Sequence, residues 1–250
     1  MKIAVLSGAK EIAVVAANMY ASVLHRKPNA VLGLATGSSP VDTYNQLIGM
    51  YERGEVSFKD ASAFLLDEYW GLDADRVFTS HVDFTPGAVQ GPDGTATDPQ
   101  TAADDYEQAI LDSAGIDMQI LGIGADGHIA FNEPGGSLSS TCHPQVLLTQ
   151  TRVDNARFFG NHVEEVPTAA ITQGLATIMR ARKIVLVAQG ESKAEAVVGM
   201  AERGVSAMCP ASILQFHNDV TVLLDEGAAS KLALREHYAD EWEVERQRLG

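Results

Sequence analysis

Ala30-Val31-Leu32-Gly33-Leu34-Ala35-Thr36-Gly37-Ser38-Ser39-Pro40 passes from one kind of structure to another within a single short stretch. Its first half is apolar without interruption, the pattern of a strand buried on both faces of a parallel sheet. Its second half is a turn of small, hydroxyl-bearing residues, and Pro40 suits the first turn of a helix over Val41–Tyr51. The same strand-then-helix unit recurs outward in both directions. Further apolar runs lie at Ile3–Leu6, Ala63–Leu66, Met118–Ile123, Ile184–Ala188 and Val220–Leu224. Helices are expected over Glu11–Leu24, Thr101–Leu111, Pro167–Met179, Ser192–Glu202 and Ala228–Arg248. This order predicts an α/β fold, a Rossmann-like, doubly wound and mostly parallel sheet in a three-layer sandwich. Phe84–Gln100 and Glu133–Pro144, rich in Gly, Pro, Ser and Thr, read as loops. With no internal repeat and no linker, residues 1–250 are expected to form a single domain.

Composition narrows the function classes. Hydrophobic residues make up 46% of the 250, enough for a sizeable core. The formal net charge of −15 argues against nucleic acids and anionic membranes as partners. An anionic substrate would need the few cations gathered in one place. Cys142 and Cys209 form no CxxC pair and show no zinc-ligand spacing, and read as reduced thiols in a cytoplasmic protein. A metal at Asp126, His128 and Glu133 is a competing use, but the only nearby second imidazole is His143 and the Gly-rich spacing gives no HxxxH face, so no metal is expected. The apolar run Ile3–Leu6 is short and is broken by Lys10 and Glu11, unlike a signal peptide. No stretch approaches the roughly 18–20 apolar residues that span a bilayer.

In open α/β sheets, ligands bind at the carboxyl ends of strands, so the polar residues there carry the functional reading. The turn Thr36-Gly37-Ser38-Ser39 offers backbone N–H groups at a helix N-terminus, an anion cradle, although Ser residues also serve as ordinary caps. It lacks the Gly-Lys-Ser/Thr of a nucleotide loop. Asp67-Glu68 follows a buried strand beside Tyr69 and Trp70. A carboxylate walled by apolar groups there has its pKa raised toward a range useful for proton transfer; the alternative is a solvated pair of acids. Successive strand residues face opposite sides, so the two acids are not expected to share one role.

Gly122-Ile123-Gly124-Ala125-Asp126-Gly127-His128-Ile129-Ala130-Phe131-Asn132-Glu133-Pro134 is the richest segment. Its glycines match GxGxxG formally, yet Pro134 cuts short the helix that a dinucleotide site needs. Asp126, His128 and Glu133 are better read as a proton shuttle, a histidine held by carboxylates. Arg157 and Lys193 are candidate phosphate ligands, though single basic residues are commonly just solvated.

Leu34–Pro40, Leu66–Leu72, Gly122–Pro134, Thr151–Phe159 and Gly190–Lys193, in that order and spacing, resemble the glucosamine-6-phosphate deaminases across nearly the whole chain. The run Asp-Gly-His-Ile-Ala-Phe-Asn-Glu-Pro is the most specific signal. The resemblance implies a NagB-like fold and an enzyme that needs no cofactor, converting glucosamine 6-phosphate to fructose 6-phosphate and ammonia in amino-sugar catabolism. It implies that Asp67 moves a proton from C2 to C1, that His128 opens the pyranose ring, and that Asp126 and Glu133 orient and tune His128. It assigns the phosphate to Thr36, Gly37, Ser38, Ser39, Arg157 and Lys193. A homo-oligomer is compatible with it.

Two departures stand out. Family members carry a longer segment after the counterpart of Leu72, where this chain passes quickly through Asp73-Ala74-Asp75-Arg76. Members activated by N-acetylglucosamine 6-phosphate place basic residues after the counterpart of Glu133, whereas Gly135–Gln150 contains no Lys or Arg, so no such activation is expected. The competing readings are a 6-phosphogluconolactonase or another hexose-phosphate isomerase on the same fold, a sugar-phosphate sensor without turnover, and a dinucleotide oxidoreductase resting on the three glycines.

Overall fold

The computed structural model describes residues 1–71 and 78–249. The shortened stretch at 73–76 lies outside the described residues. In chain order the elements are β1 (Lys2–Leu6), α1 (Ala9–Arg26), β2 (Val31–Leu34), α2 (Val41–Glu52), β3 (Ser62–Leu65), β4 (Asp67–Tyr69), β5 (Val89–Gln90) and α3 (Pro99–Asp112). They continue with β6 (Met118–Leu121), β7 (His143–Val146), α4 (Thr149–Asn155), β8 (Ala169–Thr172), α5 (Leu175–Met179), β9 (Ile184–Ala188), α6 (Ala194–Ala201), β10 (Val220–Asp225) and α7 (Arg235–Leu249).

Seven strands form one parallel sheet in the order β1-β10-β9-β6-β2-β3-β5, flanked by helices. Every residue of β2, β6 and β9 is buried, which is why these strands read as unbroken apolar runs. The order also contains a reversal. From β2 the chain moves to β3 on one side, whereas from β6 it eventually moves to β9 on the other. The carboxyl ends of β2 and β6 therefore diverge at the topological switch point, where a crevice opens in folds of this kind. At the opposite end of these strands, Asp117 accepts from Lys27 Nζ (2.7 Å), Val31 N (2.8 Å) and Arg182 Nη1 (2.9 Å), pinning the amino ends together.

A second, antiparallel sheet, β4-β8-β7, follows the carboxyl end of β3, and Asp67 of β4 accepts from the Thr36 hydroxyl just beyond β2. It corrects the sequence reading, which expected one helix over Pro167–Met179. Ala169–Thr172 is instead the central strand of the small sheet, and only Leu175–Met179 is helical. The alanines suggested a helix, but Ala-Ile-Thr is compatible with a strand, and pairing on both sides outweighed a weak local preference. Gly174 separates the two pieces. A Cβ there would run into the Ser140 and Thr141 backbone, so close packing requires glycine. The expected helix over Ala228–Arg248 likewise begins later, at Arg235. The residues before it are wound into turns whose N–H groups are taken by Asp225 (from Ala228, 2.7 Å) and Glu202 (from Ala233 and Leu234, 2.9 Å each).

Tyr44 of α2 holds the start of the Thr36–Ser39 turn. Its buried hydroxyl accepts from Ala35 N (2.9 Å) and donates to Ala35 O (2.8 Å), satisfying both backbone groups where β2 has ended. Leaving such groups unpaired in the interior costs about 1–3 kcal/mol each.

Candidate active site

Three segments converge at the switch point. The first is the turn after β2. No side chain caps α2, so the reading of Ser38 and Ser39 as ordinary caps does not hold; Val41 N donates to Ser38 O at 3.4 Å, and the first-turn N–H groups gain no side-chain acceptor. Ser38 Oγ instead accepts from Arg157 Nη2 at 2.9 Å, across 119 residues of sequence. Arg157 lies in the short turn that follows α4, with its guanidinium 4.9 Å from the centroid of the Phe158 ring. Gly37 is exposed and a side chain there would meet open space. Ser39 packs against Gly122, where a Cβ would approach its Oγ to 2.9 Å.

Lys193 is half-buried, just ahead of α6. Burial lowers its pKa from the usual lysine value, while Asp154 and Asp126 pull it up and Arg157 pushes it down. Lys193 thus feels the charges of Arg157, Asp154 and Asp126, and Arg157 itself is seated on Ser38 in the turn ahead of α2.

The second segment is the junction between the two sheets. Asp67 opens β4 and is only 6% exposed, so it is not a solvated acid at a strand end. Thr36 Oγ1 donates to its Oδ1 at 2.7 Å. The Thr36 hydroxyl is therefore committed to Asp67. Burial pushes the Asp67 carboxyl up to about 6, against the Thr36 bond and the nearby His128, which both favour the charged form. Glu68 is buried as well, and its Oε1 accepts from Tyr69 N at 2.8 Å. The Tyr69 ring packs on Phe131 and Phe159 and connects this junction to the other two segments.

The third segment is the loop after β6. No helix begins there, so the three glycines serve the loop rather than a dinucleotide. Gly124 leaves room for the His128 ring, and Gly127, at φ +88°, turns the chain where Cys209 Sγ leaves no space for a side chain. His128 Nδ1 is 2.7 Å from Asp126 Oδ1 and 3.8 Å from Glu133 Oε2. The shorter approach lies off the ring N–H direction, so its pull is electrostatic more than that of a directed bond. Burial works against the Asp126 charge, but the contact with His128, ring and backbone N–H, outweighs it and holds the carboxyl below its ordinary value. Glu133 is 4% exposed; its Oε1 accepts from Leu148 N at 3.0 Å, and its Oε2 is left facing the imidazole.

Asp126, His128 and Glu133 present ligand atoms within 4.8 Å of one another, close enough for a cation to be considered. A tetrahedral zinc with bonds of roughly 2.0–2.1 Å would hold its ligand atoms roughly 3.3 Å apart. The 2.7 Å approach is shorter than that and pairs the imidazole with the carboxylate by charge. The site can therefore place an anion at the helix end, a proton shuttle at His128 and a carboxyl poised to exchange protons near neutral pH at Asp67. Sequence reasoning missed Thr172 and Gln173, both fully buried beneath these loops. The signal available was the strand-compatible Ala-Ile-Thr ahead of Gly174.

Known proteins bear on this geometry. The family model described as glucosamine-6-phosphate isomerases/6-phosphogluconolactonase matches residues 7–223. A glucosamine-6-phosphate deaminase from Beutenbergia cavernae is 55% identical over 248 residues, covering 95% of each chain. Another from Mycolicibacterium smegmatis is 53% identical over 250 residues, covering 96% of each. Among solved structures, a monomeric glucosamine-6-phosphate deaminase described as a missing link of the NagB superfamily superposes with a TM-score of 0.89 at 41% identity, over 92% of this chain and 99% of its own. A 6-phosphogluconolactonase from Trypanosoma brucei superposes at 0.72 with 20% identity, over 93% and 98%, and shares the fold.

Proposed function

The chain belongs to the glucosamine-6-phosphate isomerase/6-phosphogluconolactonase family, and within it we propose the deaminase reaction rather than the lactonase one. It is an enzyme that converts glucosamine 6-phosphate and water to fructose 6-phosphate and ammonia. The observation that carries the residue roles is the buried Asp67 carboxyl, held by Thr36 and poised near neutrality.

The closed pyranose hides C1 as a hemiacetal. His128 moves a proton between O1 and the ring oxygen, which breaks the C1–O5 bond and leaves an open-chain aldehyde. Asp126 and Glu133 flank its Nδ1 and stabilise the charged imidazole that the transfer creates. Asp67, ionised, takes the proton from C2, giving an enolamine, and returns it to C1, leaving an imine at C2. Water adds to that imine and ammonia departs. A carboxyl near pH 6 is suited to both halves of the transfer, since it can bind and release the proton without a large driving-force penalty. Arg157, Lys193, Ser38, Ser39, Gly37 and the helix N–H groups hold the phosphate, so C1 and C2 stay in register while the ring opens.

This reading treats 1–250 as one domain and involves no metal, nucleotide, nucleic acid or lipid. Among the described residues, no helix is long and apolar enough to cross a membrane. A single chain contains every residue assigned above, which favours a monomer-sufficient site whatever the assembly. The test is ammonia release from glucosamine 6-phosphate, with EDTA and without nucleotide, by the wild type and Asp67→Asn. Release that collapses in the variant supports the reaction and the base together. No release from folded wild-type protein would overturn both.

A further inference from the structure

The strand that sequence reasoning took for a helix joins the two halves of the site. Asp67 in β4 stands opposite Thr172 in β8, in antiparallel register. The loop carrying His128 and Glu133 returns to the same residue: Phe131 N donates to Thr172 Oγ1 at 3.2 Å, and that hydroxyl donates to Gln173 O at 3.2 Å. Asn132 Nδ2 donates to the same Gln173 O at 2.9 Å. Gln173 in turn reaches the end of β3, donating from its N to Leu66 O (2.9 Å) and from Nε2 to Leu65 O (3.1 Å). Thr172 and Gln173 are both 0% exposed. Ala130, between His128 and Phe131, is held at φ +53°, a conformation that a residue with a side chain adopts only when its surroundings impose it. The Phe131 and Asn132 bonds to β8 follow immediately and supply that constraint.

We propose that Thr172 is a positioning residue, whose hydroxyl sets the separation between the Asp67 carboxyl and the ring-opening loop of His128. The proposal rests on the deaminase reading above. Ring opening needs His128 at O1 and O5, and proton transfer needs Asp67 at C2, on one substrate held by one phosphate grip. The two groups come from different segments, 61 residues apart by their numbers (128 − 67). No direct bond joins them in the structure; β8 does. A strut that lengthened by a fraction of an ångström would leave the phosphate cradle intact and the base out of reach of C2. Misplacement of that order lowers a rate by roughly ten- to a hundredfold.

The experiment compares wild type, Thr172→Val, Thr172→Ser and Asn132→Leu, using glucosamine 6-phosphate with hydrogen or deuterium at C2. Valine keeps the shape of threonine and leaves Phe131 N–H without its acceptor; serine keeps the hydroxyl. The expected result for valine is kcat lower by about ten- to a hundredfold, KM within about threefold, and a larger deuterium isotope effect, because C2 proton removal has become the slow step. Serine should restore both kcat and the isotope effect. Asn132→Leu, which cuts the parallel bond to Gln173 O, should repeat the valine signature and decides the matter if the valine variant does not fold. The proposal is overturned by a folded valine variant with wild-type kcat and isotope effect. A lowered kcat with an unchanged isotope effect also overturns it, since that marks only a loss of active molecules, as does a serine variant as impaired as valine. If the wild type releases no ammonia, the deaminase reading itself fails and the strut falls with it, whereas wild-type turnover with an indifferent valine variant removes the strut alone.

Discussion

Replacing Thr36 with valine removes one hydrogen bond and almost no volume. In the structure Thr36 Oγ1 donates to Asp67 Oδ1 at 2.7 Å, and the bond favours the ionised carboxylate against the burial that raises its pKa to about 6. A hydrogen bond to a charged group contributes about 1.5–3 kcal/mol. Thr36 is exposed, so solvent recovers part of this, and about 1.4 kcal/mol corresponds to a rise of about one pKa unit. In the proposed mechanism Asp67 acts as a base when ionised, so activity is lost as pH falls through its pKa, and a higher pKa moves that loss upward. The acid limb of kcat against pH should therefore shift from about 6 to about 7. At pH 6 the ionised fraction drops from about a half to about a tenth, roughly a fivefold loss, while well above pH 8 the two enzymes converge. The assay is ammonia release at saturating substrate across that range. An unmoved acid limb would refute the tuning. So would a uniform loss at every pH, which would make the hydroxyl a phosphate ligand instead.

The same carboxyl predicts a trade between activity and stability. Its folded pKa, about 6, lies above the ordinary 3.8, so folding favours the protonated form; the contribution of this carboxyl to stability is full below about pH 4 and is lost as pH rises through about 6. Asp67→Asn should thus abolish turnover yet stabilise the protein by up to about 3 kcal/mol at pH 8, with no gain at pH 4, which thermal melts at the two pH values will check. Gly124→Ala places a methyl against the His128 imidazole and 2.7 Å from Asp126 Oδ1. The half-buried ring can swing outward, so turnover should fall by about a hundredfold or more with little change in melting temperature; near-normal kcat would remove His128 from the mechanism. Finally, a titration with N-acetylglucosamine 6-phosphate should give no activation, since Gly135–Gln150 offers no Lys or Arg to hold a second phosphate; a rise in rate or a fall in substrate KM would contradict this.

Much of the candidate site was legible because its residues are local in the chain. Asp126, His128 and Glu133 fall within one loop, so their mutual contact follows from eight residues of sequence, Asp126–Glu133. Strands buried on both faces betray themselves as unbroken apolar runs, and β2, β6 and β9 were readable for that reason. The strand β8 was not. Its four residues have no period long enough to separate strand from helix, and the bonds that decide the matter come from β4 and β7, elsewhere in the chain.

By itself the sequence determined the α/β class, the strand-then-helix units and the chemical inventory of the site: an acid after a buried strand, a histidine between carboxylates and a turn fit for an anion. These depend on residue type and short spacing, which the chain carries explicitly. Only the tertiary structure decided which strands are neighbours, and with that the crevice between β2 and β6, the pairing of Arg157 with Ser38 and the Thr36 bond that tunes Asp67. Those contacts join positions far apart in the chain. Burial patterns say that a strand must be covered on both sides but not by which partner, so the choice is made only when the whole sheet packs at once.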